Sequence, residues 1–153
     1  MSKFTASKVV LEPIEDVFKG FIKVNKREFP KFPDKNPLGS KCTKMIKQSA
    51  NQTLKMVMKV TDYELDSLYQ VSGELGKDLY ISTYKFIAEA EDRTRIELVE
   101  EQKLNNIGSK IGMLLGTFSA GSKTKKKLER VAEGIEEEIE ALRRKQERSK
   151  KKA

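Results

Sequence analysis

The order in which hydrophobic patterns follow one another constrains the fold of this chain more than any motif. A strand-like segment from Phe4 to Leu11 precedes an amphipathic helical pattern. Residues 40 to 104 then read as successive strands, and the last third of the chain is helical in pattern. An antiparallel sheet needs another element to cover its apolar face, so this order predicts a curved sheet packed around the terminal helix.

The first helix has the clearest signals at both ends. Pro13 fits its first turn, and Glu15 and Asp16 place negative charge at the positive end of the helix dipole. Pro30 and Gly39 bound a loop that cannot continue the helix. Its apolar residues recur every three or four positions, which is typical of a helix with one buried face. They are Ile14, Val17, Phe18, Phe21 and Ile22.

The middle of the chain alternates between apolar and polar residues, which is the period of a half-buried strand. Short turns predicted at residues 49 to 52, 73 to 78 and 91 to 93 separate the strands, so neighbours should pair antiparallel. The candidate strands are Ser40–Gln48, Leu54–Val60, a less regular Tyr63–Val71, Leu79–Ala88 and Thr94–Leu104.

The last third carries two helical stripes, one over residues 107 to 118 and one over residues 128 to 142. Gly116 and Gly121 predict a break or hinge between the two stripes. The second stripe has two interpretations. It could pack on the sheet of its own domain, or it could form a short coiled-coil seam with a partner or a second copy.

The start of the chain carries a resemblance to a known superfamily. A strand from Thr5 to Leu11 runs into Glu12-Pro13-Ile14-Glu15-Asp16-Val17-Phe18, and the strand meander and long helix follow. In this combination the chain resembles the START-like (SRPBCC) helix-grip superfamily. It is also similar to a small uncharacterised bacterial family, through residues 9 to 13, the Pro37–Lys41 segment and the basic-then-acidic last helix.

The resemblance implies an α+β helix-grip fold over residues 3 to 142. A curved antiparallel sheet of about six strands would wrap around a long C-terminal helix, with one short amphipathic helix after the first strand. It further implies a cavity between sheet and helix, which such folds often use for lipids, hormones or other apolar molecules. It does not imply an enzyme, since one fold hosts many functions.

The net charge of +8 is concentrated at the C-terminus. Residues 143 to 153 carry seven basic side chains against Glu147, so the other 142 residues hold only +2. We therefore expect one domain over residues 1 to 142 and a basic, frayed or disordered tail over 143 to 153. Weak counterion-release binding by this tail is the only contact with nucleic acid that the sequence suggests.

Several classes of protein and site are disfavoured by composition. The chain has no histidine, which removes the usual general base and zinc ligand, and Cys42 is its only cysteine. The segment Gly116–Thr124 resembles a phosphate-binding loop but has one residue too many and follows a helical stripe. We predict no metal, no cofactor and no catalytic residue, and leave open an enzyme that works through carboxylates. With no apolar run of membrane-spanning length and no secretory leader, the expected location is the cytoplasm.

A set of adaptable apolar and aromatic side chains could line the implied cavity, although the same residues could simply fill the core. Glu100 has two interpretations as well: it faces the interior with Leu98, or the strand bulges and exposes it. We predict a non-catalytic module that encloses a small apolar or amphipathic ligand; the alternative is an interaction protein that uses residues 128 to 142 for partner binding or homodimerisation. The candidate cavity residues are Met45, Met56, Met58, Tyr69, Tyr84, Leu98, Glu100, Met113 and Phe118.

Overall fold

The computed structural model describes residues 2–27, 29, 33, 36–49, 52–103 and 123–152. Its six strands form one antiparallel sheet in the order β1-β6-β5-β4-β3-β2. Together with the two helices of the described residues, this is the α+β helix-grip architecture that the resemblance implies. The elements are β1 (Ser2–Val10), α1 (Ile14–Lys26), β2 (Lys41–Ser49), β3 (Gln52–Glu64), β4 (Leu68–Leu75), β5 (Asp78–Ala90), β6 (Arg93–Lys103) and α2 (Lys123–Lys152).

The inner face of the sheet is set by strict alternation in its central strands. In β5, Tyr80, Ser82, Tyr84 and Phe86 are buried, while the residues that alternate with them are more exposed. In β6 the buried positions run from Thr94 to Gln102 at every second residue. Because successive side chains of a strand point to opposite faces, these residues form one layer against the helices.

Helix α1 packs its aromatic residues on the inner face of the sheet. The Phe18 ring meets the Phe86 ring edge-on at 5.0 Å between centroids. The Phe21 ring contacts the rings of Tyr69 and Tyr84 at 5.0 and 4.7 Å. Such edge-to-face and tilted contacts are the favoured geometries for aromatic pairs, so α1 is fixed over strands β4 and β5.

Helix α2 lies against α1 and β1, and it buries Leu128, Ile135 and Ile139 in the same core. The helices approach closely at Gly20, where an added Cβ would lie 3.3 Å from the Ile135 carbonyl oxygen. The residues of the predicted second stripe therefore pack within their own domain.

The C-terminal segment differs from the expectation of a frayed or disordered tail. Residues 143 to 152 continue α2 as helix. Arg143 donates hydrogen bonds to the Glu12 carboxylate, and Arg144 forms an ion pair with Glu140 one turn earlier. These contacts, added to a run of residues with good helix propensity, hold the helix beyond residue 142.

Two predicted boundaries are wrong. Gly73 and Leu75 lie buried in β4, and the turn is confined to Gly76 and Lys77, with Gly76 in the left-handed region at φ 61°. The predicted strand Tyr63–Val71 is interrupted by the turn between β3 and β4. This turn contains Leu65, which is 69% exposed. The first helical stripe, the break near residues 116 to 121 and the near-miss phosphate loop lie largely or wholly outside the described residues.

Candidate functional site

A cluster of charged and polar side chains lies buried on the inner face of the sheet. The Lys127 ammonium is 2.8 Å from Glu100 Oε2, and the two side chains are 6% and 2% exposed. Lys127 Nζ also donates to Ser82 Oγ at 3.2 Å, and the Ser82 hydroxyl donates to Glu100 Oε2 at 3.2 Å. The three residues, called the polar cluster below, join β5, β6 and α2.

Register and helical spacing bring the polar cluster together. Ser82 and Glu100 are directly opposite each other in the β5–β6 ladder, and both point inward. Lys127 lies in the buried stripe of α2, between Thr124 and Leu128. β6 pairs without a register shift from Thr94 to Lys103, so the alternative in which a bulge exposes Glu100 is wrong.

Burial makes this ion pair costly unless its members are well partnered. Removing two charges from water costs several kcal/mol for each ion, roughly, and the attraction between them repays it only with good geometry. The Lys127 Nζ also lies 5.9 Å from the centre of the Tyr84 ring, within range of a cation–π contact. Ionisable groups kept inside a fold at such cost are candidates for a functional site.

The surroundings of the polar cluster divide into two halves. Tyr80 and Gln102 are cross-strand partners in the row next to Ser82 and Glu100, and burial, with the nearby Asp78 charge, raises the pKa of Tyr80. Strand β3 instead contributes Met56, Met58 and Val60, all at most 1% exposed. The inner face is thus polar where the start of β5 meets the end of β6, and apolar at β3.

The predicted cavity residues do not all lie together. Tyr69, Tyr84 and Leu98 occupy one row of neighbouring strands and are buried. Met56, Met58 and Glu100 also face the interior. Met45 is 65% exposed, so it does not belong to this group. Met113 and Phe118 lie outside the described residues.

Sequence reasoning missed Ser82 and Lys127. Ser82 occupies an inward position between Tyr80 and Tyr84, where an apolar residue is the usual choice. Lys127 and Thr124 extend the stripe of Leu128 and Val131 backwards at helical spacing, which is the signal that could have identified them. Both features look like ordinary polar positions until the facing residues are known.

Among the surface grooves formed by described residues, three are lined by none of the predicted cavity residues. The most apolar, about 520 Å³, lies between α1 and the β3–β4 turn and includes Phe18, Ile22, Tyr63 and Leu65. Another, about 510 Å³, lies between the end of β1 and α2, and a third of about 70 Å³ separates the two helices.

The described part of the chain holds no group of three acidic or cysteine side chains placed to bind a metal ion. Among these same residues, neither helix combines the length and the apolar content that crossing a membrane requires.

Solved structures share this architecture at low sequence identity, and their likeness shows the fold. A conserved protein from Geobacillus kaustophilus matches at a TM-score of 0.59 with 16% identity, covering 92% of this chain and 96% of its own. Mll3558 from Rhizobium loti matches at 0.58 with 16% identity and coverage of 87% and 96%. The Zhui aromatase/cyclase from Streptomyces sp. R1128 matches at 0.51 with 11% identity, covering 90% and 87%.

The chain therefore has the helix-grip fold, and its sequence places it more narrowly. It belongs to the family described as a domain of unknown function (DUF3284), whose model matches residues 5–121. The match includes Ser82 and Glu100 but ends before Lys127. No curated protein is significantly similar to the chain in sequence.

Proposed function

We propose that this protein is a non-catalytic binding module that encloses a small amphipathic molecule between the inner face of the sheet and α2. The observation that carries the proposal is the polar cluster of Ser82, Glu100 and Lys127 on an inner face whose β3 positions are apolar. Such a face matches a ligand with one polar end and one apolar body.

The two halves of the inner face suit the two ends of such a ligand. The apolar body would lie against Met56 and Met58, because methionine adapts its shape to irregular apolar partners. The polar end would lie against the cluster, where charged groups form strong hydrogen bonds. Binding would be reversible enclosure, since the chain has no histidine and no recognisable nucleophile–base pair.

The alternative function, association through residues 128 to 142, has less support. Leu128, Ile135 and Ile139 are 1%, 0% and 5% exposed within the domain itself. A seam to a partner would need this stripe to be accessible.

Native mass spectrometry of protein purified from its own host tests the proposal. We expect a bound species whose mass is released on denaturation. Met58→Phe should lower its occupancy, because the larger ring occupies the inner face. Val57→Phe is the matched control, since Val57 directly precedes Met58 in β3, points to the opposite face and is 36% exposed. Recovery of only empty protein, together with no binding of added amphiphiles, would overturn the proposal.

A further inference from the structure

We infer that the polar end of the ligand is uncharged, a hydroxyl or a carbonyl, and that Glu100 selects it. The inference rests on the proposed function and concerns the same site. It follows from the charge balance of the polar cluster, where one ammonium and one carboxylate lie 2.8 Å apart.

The positive charge of Lys127 is already neutralised inside the fold. Glu100 Oε2 accepts hydrogen bonds from both Lys127 and Ser82, so its carboxylate is held beside the ammonium. Asp78 is also buried and lies on the same face of β5, four residues before Ser82. Four residues along a strand span about 13 Å, so Asp78 lies outside the polar cluster, whose own two charges, those of Lys127 and Glu100, cancel.

A charged ligand end would disturb this balance. A carboxylate would have to share Lys127 with Glu100, which leaves a net negative charge out of water. An alkylammonium would approach Lys127 itself and meet like-charge repulsion at short range. A hydroxyl or carbonyl adds no net charge, and its hydrogen bonds to an ionised partner are stronger than those between neutral groups.

Three ligands that share one alkyl chain test the inference: decanol, decanoate and decylammonium. With purified full-length protein at neutral pH, isothermal titration calorimetry should give a dissociation constant for decanol at least about tenfold lower than for either ion. Equal or tighter binding of decanoate or decylammonium would overturn the inference while leaving the proposed function standing. Failure of all three to bind, with empty protein from the host, would instead overturn the proposed function.

The Glu100→Gln variant tests whether Glu100 is the residue that selects an uncharged ligand end. The variant leaves the Lys127 charge without its carboxylate, so the ratio of decanoate to decanol affinity should rise by at least about tenfold. Glu101→Gln is the matched control, because Glu101 is the next residue of β6 and faces the other side of the sheet. An unchanged ratio in a folded Glu100→Gln variant, or the same change in Glu101→Gln, would overturn the role of Glu100.

A double variant covers the case in which Glu100→Gln does not fold. Glu100→Met with Lys127→Met replaces the pair by apolar side chains of similar length, a change that is often neutral for stability. Its affinities for decanol and decanoate should differ less than those of the wild type. A double variant that kept the full preference for decanol would show that the polar cluster does not select the ligand.

Discussion

The two ends of α2 are held by the same kind of interaction in different surroundings. At its start, Lys127 pairs with Glu100 in the interior, and the two side chains are 6% and 2% exposed. Near its end, Arg143 pairs with Glu12 at the surface, where the side chains are 53% and 21% exposed. The hydrogen bond with Glu12, and its charge, raise the pKa of Arg143, but this guanidinium is charged in any case.

Depth decides what each pair contributes. At the surface, water and salt screen both charges, so breaking a pair leaves two solvated groups. In the interior, removing one member leaves the other desolvated and without its partner charge. The buried pair is thus a specific constraint on the position of α2, while the surface pairs add small increments that act together.

The largest expected effect is that of breaking the buried pair. Lys127→Met should lower the free energy of unfolding by about 3–5 kcal/mol, because the buried Glu100 carboxylate loses the ammonium that lies 2.8 Å from it. The Glu100→Met, Lys127→Met double variant should lie close to the wild type. Urea unfolding followed by circular dichroism measures both, and a single variant no less stable than the double variant would contradict the comparison.

The middle of α2 gives the next effect, through packing without charge. Gly20→Val should cost about 1–3 kcal/mol, since the Cβ alone would lie 3.3 Å from both the Ile135 carbonyl oxygen and Cγ2. Gly134→Ala is the control on the facing helix, where the added Cβ meets Val24 Cγ2 at an ordinary 3.6 Å. It should stabilise by about 0.5–1 kcal/mol through helix propensity. Equal losses at both positions, measured by urea unfolding, would show that the approach at Gly20 is not the tight one.

The surface pair at the end of α2 should give a smaller, salt-dependent effect. Arg143→Gln should lower the melting temperature at low ionic strength, and the difference from wild type should vanish near 1 M salt, where the Debye length is about 3 Å. Arg144→Gln is the control, because its partner Glu140 lies in the same helix and does not tie α2 to the rest of the fold. A salt-independent loss for Arg143→Gln would mean that packing rather than charge holds this end.

The smallest effect is expected at Asp66, a half-buried carboxylate in the β3–β4 turn. Burial, and then the Glu15 charge, raise its pKa. When a carboxyl group has a higher pKa in the folded than in the unfolded state, the protein loses stability as the pH rises through the range between the two pKa values. Asp66→Asn should therefore be more stable than wild type at neutral pH by less than about 0.5 kcal/mol, and the gain should shrink as the pH falls toward 4.

Unfolding at several pH values measures the Asp66 effect. Asn tolerates the φ of 58° at this position, so backbone strain does not confuse the comparison. A gain that stayed constant with pH would indicate that the turn geometry, and not the charge, is responsible.

Patterns of local origin predict much of this fold. The alternation in β3 places Met56, Met58 and Val60 inward, and the spacing in α1 buries Val17, Phe18 and Phe21. The turn predicted at Gly73 lies too early in the chain, because a glycine inside a strand gives the same signal as a glycine in a turn.

Features that depend on distant partners could not be predicted in the same way. The inward position of Glu100 is stabilised by Lys127, which meets it from α2, 27 residues further along the chain. Near the end of α2, Arg143 donates a hydrogen bond to Glu12, which lies 131 residues earlier in the chain. A run of basic residues by itself gives no sign of such a partner. For this reason the sequence of residues 143 to 153 predicts a solvated tail.

The strand order of the sheet also determines when the sheet can be completed during protein synthesis. Ser2 pairs with Gln102, so β1 must wait for the synthesis of β6 before it can pair. At typical rates of synthesis, about 5–20 residues per second, that delay is on the order of 5–20 seconds. Lys127 leaves the ribosome later still, so for a short interval the nascent chain carries the Glu100 carboxylate before its cation exists. The sheet should therefore complete its interior only after synthesis of α2 has begun.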